Sequence, residues 1–184
     1  MLYNLFPKFK IVEINNVAAL RMGHVIAQTP AKDSGVAVKE VGEYKFLENG
    51  VIVGYDADGS LKNYSAADHT QPCLIYTEEL VTAGLLEGLD QFADQFVDGV
   101  VYPRALPLNL GDTFTTNNYA GTLGDGFGAV VNGIINIQES RSGAMFIVKK
   151  SDLPAGQDAI ECTYIGYKAL EVSFNEYRTN QIIS

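Results

Sequence analysis

From Gly23 onward the chain is cut at short intervals by turn-forming residues, and this punctuation limits the fold more than any other feature. Asn49-Gly50 and Asp58-Gly59 are pairs that readily supply the positive φ angles of tight hairpin loops, and VVNGIIN holds a further Asn-Gly turn. The runs between such turns are short, apolar and rich in β-branched or aromatic residues: HVIAQT, VAVKEVG, VIVGYD, LKNYS, PCLIYT and GIINIQ. Side chains of this kind pack well on a pleated, half-buried surface. Pro103 and Pro107 in VVYPRALPLNL exclude a helix there and point to an extended edge or crossing segment. GAMFIVKKSDLPAGQDAIECTYIGY reads as a further hairpin. The sequence therefore predicts a mainly β chain: a compact sandwich- or barrel-like domain of short antiparallel strands.

Three segments depart from that texture. In 78–98, Val81, Leu85, Leu89, Phe92 and Phe96 recur at the rhythm of one helix face, which predicts one short helix. Gly84 and Gly88 weaken it by roughly 1 kcal/mol each, and a strand at FADQFV is the competing reading. Residues 1–22 open on LYNLFPKFKIVEI, apolar and interrupted by Pro7, so 1–22 reads as an extended N-terminal arm and 23–184 as the β domain. The arm either packs on its own domain as an edge strand or docks on a neighbour. The tail KALEVSFNEYRTNQIIS alternates at Leu170, Val172 and Phe174, as a last strand would. Two stretches, GVIVGYDADGSLKNYS with PCLIYT and GIINIQESRSGAMFIVKK with ECTYIG, share an outline that a duplication would explain.

Composition bounds function more than it identifies it. A chain of 184 residues that is 47% hydrophobic can bury a core without disulfides or metal. The formal net charge of −9 and the scattered basic residues work against nucleic-acid binding; Lys149-Lys150 is the densest basic pair. No run approaches the ~20 apolar residues of a membrane span, and MLYNLFPKFK lacks a secretory leader's apolar stretch, so a soluble protein made in a cytoplasm is expected. Cys73 and Cys162 lie in apolar runs and read as buried free thiols.

The residues that could carry chemistry do not converge. His24 and His69 stand apart, and Asp68 beside His69 points to the opposite face if the segment is extended. There is no G-x-S-x-G, C-x-x-C or H-E-x-x-H pattern. DADGS at 56–60 hints at a calcium loop, but Leu61 and Ala67 stand where that loop needs glycine and glutamate, so a hairpin turn is the better reading. GDGFGA at 124–129 lacks the strand–helix flanks of a dinucleotide site. Asp90, Asp94 and Asp98 fall on one face of the predicted helix and read as its solvated side. GDTFTTNNYAGTLGDG at 111–126 reads as scaffold, with a strand at Thr113–Thr116. No catalytic, cofactor-binding or metal-ligating residue is nominated, and no cofactor is expected.

One family resemblance adds to this. GYDADGSLKNYSAADHTQPCLIYTEE resembles the repeated theme of tailed-bacteriophage head decoration proteins of the lambda type: a hairpin across DGSL, a polar loop, and a return through a Pro-led strand. VVYPRALPLNLGDTFTTNN is similar to segments of other virion structural proteins, and the resemblance covers about 23–120. It implies a non-enzymatic protein on the virion surface, made in the host cytoplasm, that binds the outer face of the major capsid protein lattice and stabilises it. It also implies a homo-oligomer, a trimer by preference, with neither nucleic acid nor membrane as partner. The arm would then supply capsid contacts through Leu5, Phe6, Phe9 and Ile11. The helix and the last 60 or so residues depart from the small decoration fold and read as an extension or a second lobe from about 121. The alternatives are another phage component (head-fibre base, tail tube or connector subunit) and a carbohydrate-binding module.

Overall fold

The computed structural model describes residues 10–41, 44–65, 70–77, 96–153 and 156–166. Among these the chain is mainly β, as the turn spacing predicts. A seven-stranded sheet runs in the order β1 (Val12–Asn16), β10 (Thr113–Thr116), β15 (Gln157–Tyr164), β14 (Phe146–Leu153), β12 (Gly126–Val131), β13 (Ile134–Gln138) and β11 (Tyr119–Ala120). A six-stranded sheet runs β8 (Val100–Val101), β2 (Ala31–Lys32), β6 (Leu61–Asn63), β5 (Ile52–Tyr55), β7 (Cys73–Ile75) and β9 (Ala105–Pro107). β3 (Val38–Val41) and β4 (Tyr44–Leu47) form a separate antiparallel hairpin. Strand pairs are antiparallel except β11 with β13 and β2 with β6.

Alternation along the strands builds two cores. Phe114, Phe146, Val148, Ile160 and Cys162 of the seven-stranded sheet pack against Ile52, Leu74 and Leu106 of the six-stranded one. Phe114 and Phe146 meet edge to face, with centroids 5.8 Å apart and planes at 85°, an arrangement that suits the ring quadrupoles. The other face of the six-stranded sheet carries Val53, Leu61, Cys73, Ile75 and Ala105, packed with Leu47 of β4 and with Phe96. The smaller sheet is thus covered on both faces. This is why β7 is buried throughout: Leu74 enters one core, while Cys73 and Ile75 enter the other. A strand buried on both sides reads as a continuous apolar run.

The turns explain how the layers are joined. Asn132 and Gly133 have φ of 51° and 78° and close the β12–β13 hairpin, whose last pair is Val131 with Ile134. Both angles are positive, as a type I′ turn requires. Gly133 also touches the second sheet: its carbonyl accepts from the Ile52 amide at 2.7 Å. A Cβ placed there would lie 2.5 Å from Asn63 Oδ1, so the approach needs glycine. Asp58-Gly59 also lies in a hairpin, with Gly59 at φ 82° and the Asp56 amide donating to the Ser60 carbonyl. Asn49-Gly50 does not close a two-residue hairpin. β4 pairs with β3, and β5 pairs with β6 and β7, so this turn carries the chain from one layer to another.

Other expectations need correction or fall outside the described residues. Most of the predicted helix, 78–95, is outside them. Phe96 is buried without helical structure, and Val97 and Val100 exchange both backbone hydrogen bonds around Asp98-Gly99. Asp98, at φ 52°, therefore sits in a turn and not on a helix face. The helix that is described, α1 (Ala18–Arg21), is one turn long and falls within the expected arm. The described part of that arm, 10–22, belongs to the body, with β1 as an edge strand on β10. Strands after residue 121 share the sheet of β1 and β10. HVIAQT contributes only the bridge from Ile26 to Ala105. The two stretches with a shared outline pair differently: β6 pairs β5, whereas β14 pairs β12 and β15, not β13. The terminal strand predicted around 170–174 lies outside the described residues.

Candidate interaction surface

α1 has no capping side chain of its own. Its N-cap residue, Val17, is extended at φ −118° and ψ 120° and carries no polar group. The cap comes from Asp112, whose Oδ1 accepts the Ala18 amide at 3.0 Å. Its Oδ2 accepts the Asn109 amide at 2.8 Å, which closes the turn before β10. Asp112 is only 3% exposed, so this carboxylate is spent inside the fold. A carboxylate accepting backbone amides at a helix start makes a strong, charge-assisted bond. The turn is fixed in addition to β15: Gly111 donates to the Tyr164 carbonyl and Tyr164 donates to the Asp112 carbonyl, both at 2.9 Å.

Large apolar side chains stand on these two braced segments. Val17 and Ala19 anchor α1 inward, while Leu20 and Met22 are 47% and 82% exposed. On the turn, Leu108 is buried and Leu110 is 63% exposed. Single exposed apolar residues are common. Here three project from segments held by one buried carboxylate.

The edges of the two large sheets offer less to a partner. β1 is broken by a register shift between Ile14 and Asn16, and bulges of this kind blunt an edge. β8 and β11 are two residues long. β9 contains Pro107, which has no N–H, and Ile26 bridges to its Ala105. These edges give an added strand little uninterrupted backbone.

The buried polar side chains of the 111–126 stretch are engaged within the protein. Thr116 donates its hydroxyl to the Ile11 carbonyl at 2.8 Å and accepts the Asn118 amide at 3.0 Å. Asn118 Nδ2 donates to the Asn49 carbonyl at 2.8 Å, and Asn49 Oδ1 accepts the Thr77 amide at 2.7 Å. These bonds run from the β1–β10 pair to the Asn49-Gly50 turn. The scaffold reading of the stretch holds, with Thr113–Thr116 as β10.

Of the proposed contact residues, Leu5, Phe6 and Phe9 lie outside the described residues. Ile11 is half-buried, and its backbone is bonded to this chain: its amide donates to Asn117 Oδ1 at 2.7 Å. Asp58 of DADGS receives Lys32 Nζ at 2.7 Å as well as the Ser60 amide and hydroxyl, while Asp56 pairs with Lys62. The Lys32 and Ser60 bonds hold the Asp58 carboxyl well below the usual aspartate range. The loop's carboxylates are thus met by lysines, in keeping with a turn. Among the described residues no three histidine, cysteine or acidic side chains cluster as metal ligands would. GDGFGA enters β12 and has no helix after it. His24 is exposed, and its amide donates to the Ala19 carbonyl; His69 lies outside the described residues. Cys73 and Cys162 are free, buried and in different cores. Burial pushes the Cys73 thiol up to about 12 and raises that of Cys162 further.

The sequence marks Asn49, Asp112 and Asn118 as turn or scaffold residues but not as buried ties, since nothing local distinguishes a buried Asp or Asn from a turn residue at the surface. Leu20, Met22 and Leu110 had one faint signal, large apolar residues in the turn-like settings ALRMGH and LNLGD. Comparison with protein-family models, with curated proteins and with solved structures finds no match for this chain.

Proposed function

We propose that this chain is a virion structural protein that binds the outer surface of a capsid and stabilises the major capsid protein lattice. The observation that carries this reading is the exposure of Leu20, Met22 and Leu110 on two segments that Asp112 ties together. Apolar side chains of that kind gain free energy when a partner removes them from water. The phage-like sequence themes supply the class of partner. The apolar run before β1 adds a second contact, and two linked contacts raise overall avidity. A protein that binds the assembled lattice and not its free subunits stabilises the lattice by mass action. A trimer at local three-fold positions follows from the same resemblance.

The test is binding to assembled empty shells of a cognate major capsid protein. Saturable occupancy and a higher shell dissociation temperature are expected. Met22→Asp with Leu110→Asp weakens binding by roughly a hundredfold if each anchor contributes about 1.4 kcal/mol. Deleting residues 1–9 weakens it separately. Shells that behave alike with and without the protein, or rings and tubes formed by the purified chain alone, overturn the reading.

A further inference from the structure

The sequence contains Asn-Gly at two places, 49–50 and 132–133. Asn-Gly is the dipeptide most open to self-modification, because glycine puts no side chain in the way of its own nitrogen. That nitrogen attacks the asparagine Cγ, losing its proton to hydroxide. The new C–N bond closes a succinimide ring, the bond from Cγ to the side-chain nitrogen breaks, and ammonia leaves with the proton. Water then adds across one of the two ring C–N bonds, giving aspartate or β-linked isoaspartate. The sum is asparagine plus water to an acid plus ammonia, with no oxidation or reduction.

The fold treats the two dipeptides oppositely. Asn49 is 7% exposed. Its Oδ1 accepts the Thr77 amide and its carbonyl accepts Asn118 Nδ2. The attacking atom is held as well: the Gly50 amide donates to the Ile75 carbonyl at 2.9 Å. Ring closure at 49 therefore needs these bonds broken and the two layers parted. Asn132 is exposed at the hairpin tip, beside Val131 at 51%. Its turn keeps left-handed backbone angles, and ring closure requires leaving them; the contact at stake is the one Gly133 makes with Ile52, whereas at 49 the asparagine side chain, its carbonyl and the attacking amide are all bonded. Local openings of a turn lie far below global unfolding in free energy.

From this contrast we infer that Asn132 is a site of spontaneous deamidation and isoaspartate formation in the native protein, while Asn49 is protected. The modification has a structural consequence. Isoaspartate adds one carbon to the backbone directly before Gly133, whose carbonyl holds Ile52 and whose Cα sits against Asn63. Conversion at 132 displaces that contact and loosens one sheet from the other.

The experiment ages the full-length protein at mildly alkaline pH, natively and in urea, followed by peptide mapping and enzymatic methylation of isoaspartate. In urea both dipeptides convert at similar rates. In the native protein, conversion at 132 exceeds that at 49 by at least about tenfold, a difference of about 1.4 kcal/mol in opening free energy. Asn132→Gln abolishes the methyl label at 132. Aged protein unfolds at lower urea concentration in proportion to the label. Equal native rates at the two positions, or a silent Asn132 over a period in which both convert in urea, overturn the inference.

Discussion

Replacing Asp112 by alanine removes the acceptor from two amides at once, those of Ala18 and Asn109. The residue is 3% exposed, so water does not readily take its place. A hydrogen bond to a charged group contributes about 1.5–3 kcal/mol, and an N-cap changed to alanine costs typically about 1 kcal/mol. The two amides together give a loss of about 3 kcal/mol. For a chain of this size each kcal/mol lowers the melting temperature by roughly 2–4 °C, so a fall of about 6–12 °C is expected. Asp112→Asn keeps one oxygen and turns an NH2 toward the other amide, so its loss falls between wild type and alanine. Urea unfolding with unchanged m-value measures the loss, and amide exchange at Ala18 reports whether the α1 cap is the part released. A change under about 0.5 kcal/mol for the alanine variant, the level of an ordinary surface substitution, refutes the brace. So does unchanged exchange at Ala18.

Gly133→Ala and Gly59→Ala both place a side chain at positive φ, near 78° and 82°, but nothing lies within 4 Å of the added methyl at 59. The strain alone costs about 1–2 kcal/mol, so urea unfolding should show the larger loss at 133, where Asn63 is also met. Cys73 and Cys162 should resist an aromatic disulfide reagent in the native protein and react once it is unfolded, because burial disfavours both thiolates; labelling of folded protein at neutral pH refutes this. Asp58 has a folded pKa held below its unfolded value, mainly by Lys32, so what it adds to stability is present above the ordinary aspartate pKa and is lost as pH falls through the lowered one. A carboxyl NMR titration of Asp58 with its midpoint at or above about 3.9 contradicts the Lys32 and Ser60 bonds.

Local chemistry made some elements legible and left others hidden. Asn132-Gly133 was legible as a turn, and it closes a tight hairpin because both flanking runs pair with each other. Asn49-Gly50 has the same chemistry, yet its flanks belong to different layers, and positive φ says nothing about which strands pair. The apolar run at Cys73–Ile75 signalled a buried strand, but not that alternate side chains serve two cores. α1 was hidden because four residues carry no periodicity and its cap lies 94 positions away. Leu20, Met22 and Leu110 escaped notice for a related reason: outward projection is a property of the assembled layers.

The placement of β1 sets the order in which the chain can be completed. Ile11 bonds to Asn117, 106 positions later, and β10 is itself flanked by β15 near the other end of the described chain. The β14–β15 hairpin forms from neighbours, whereas β1, the earliest of the described strands, waits longest for its partner strand.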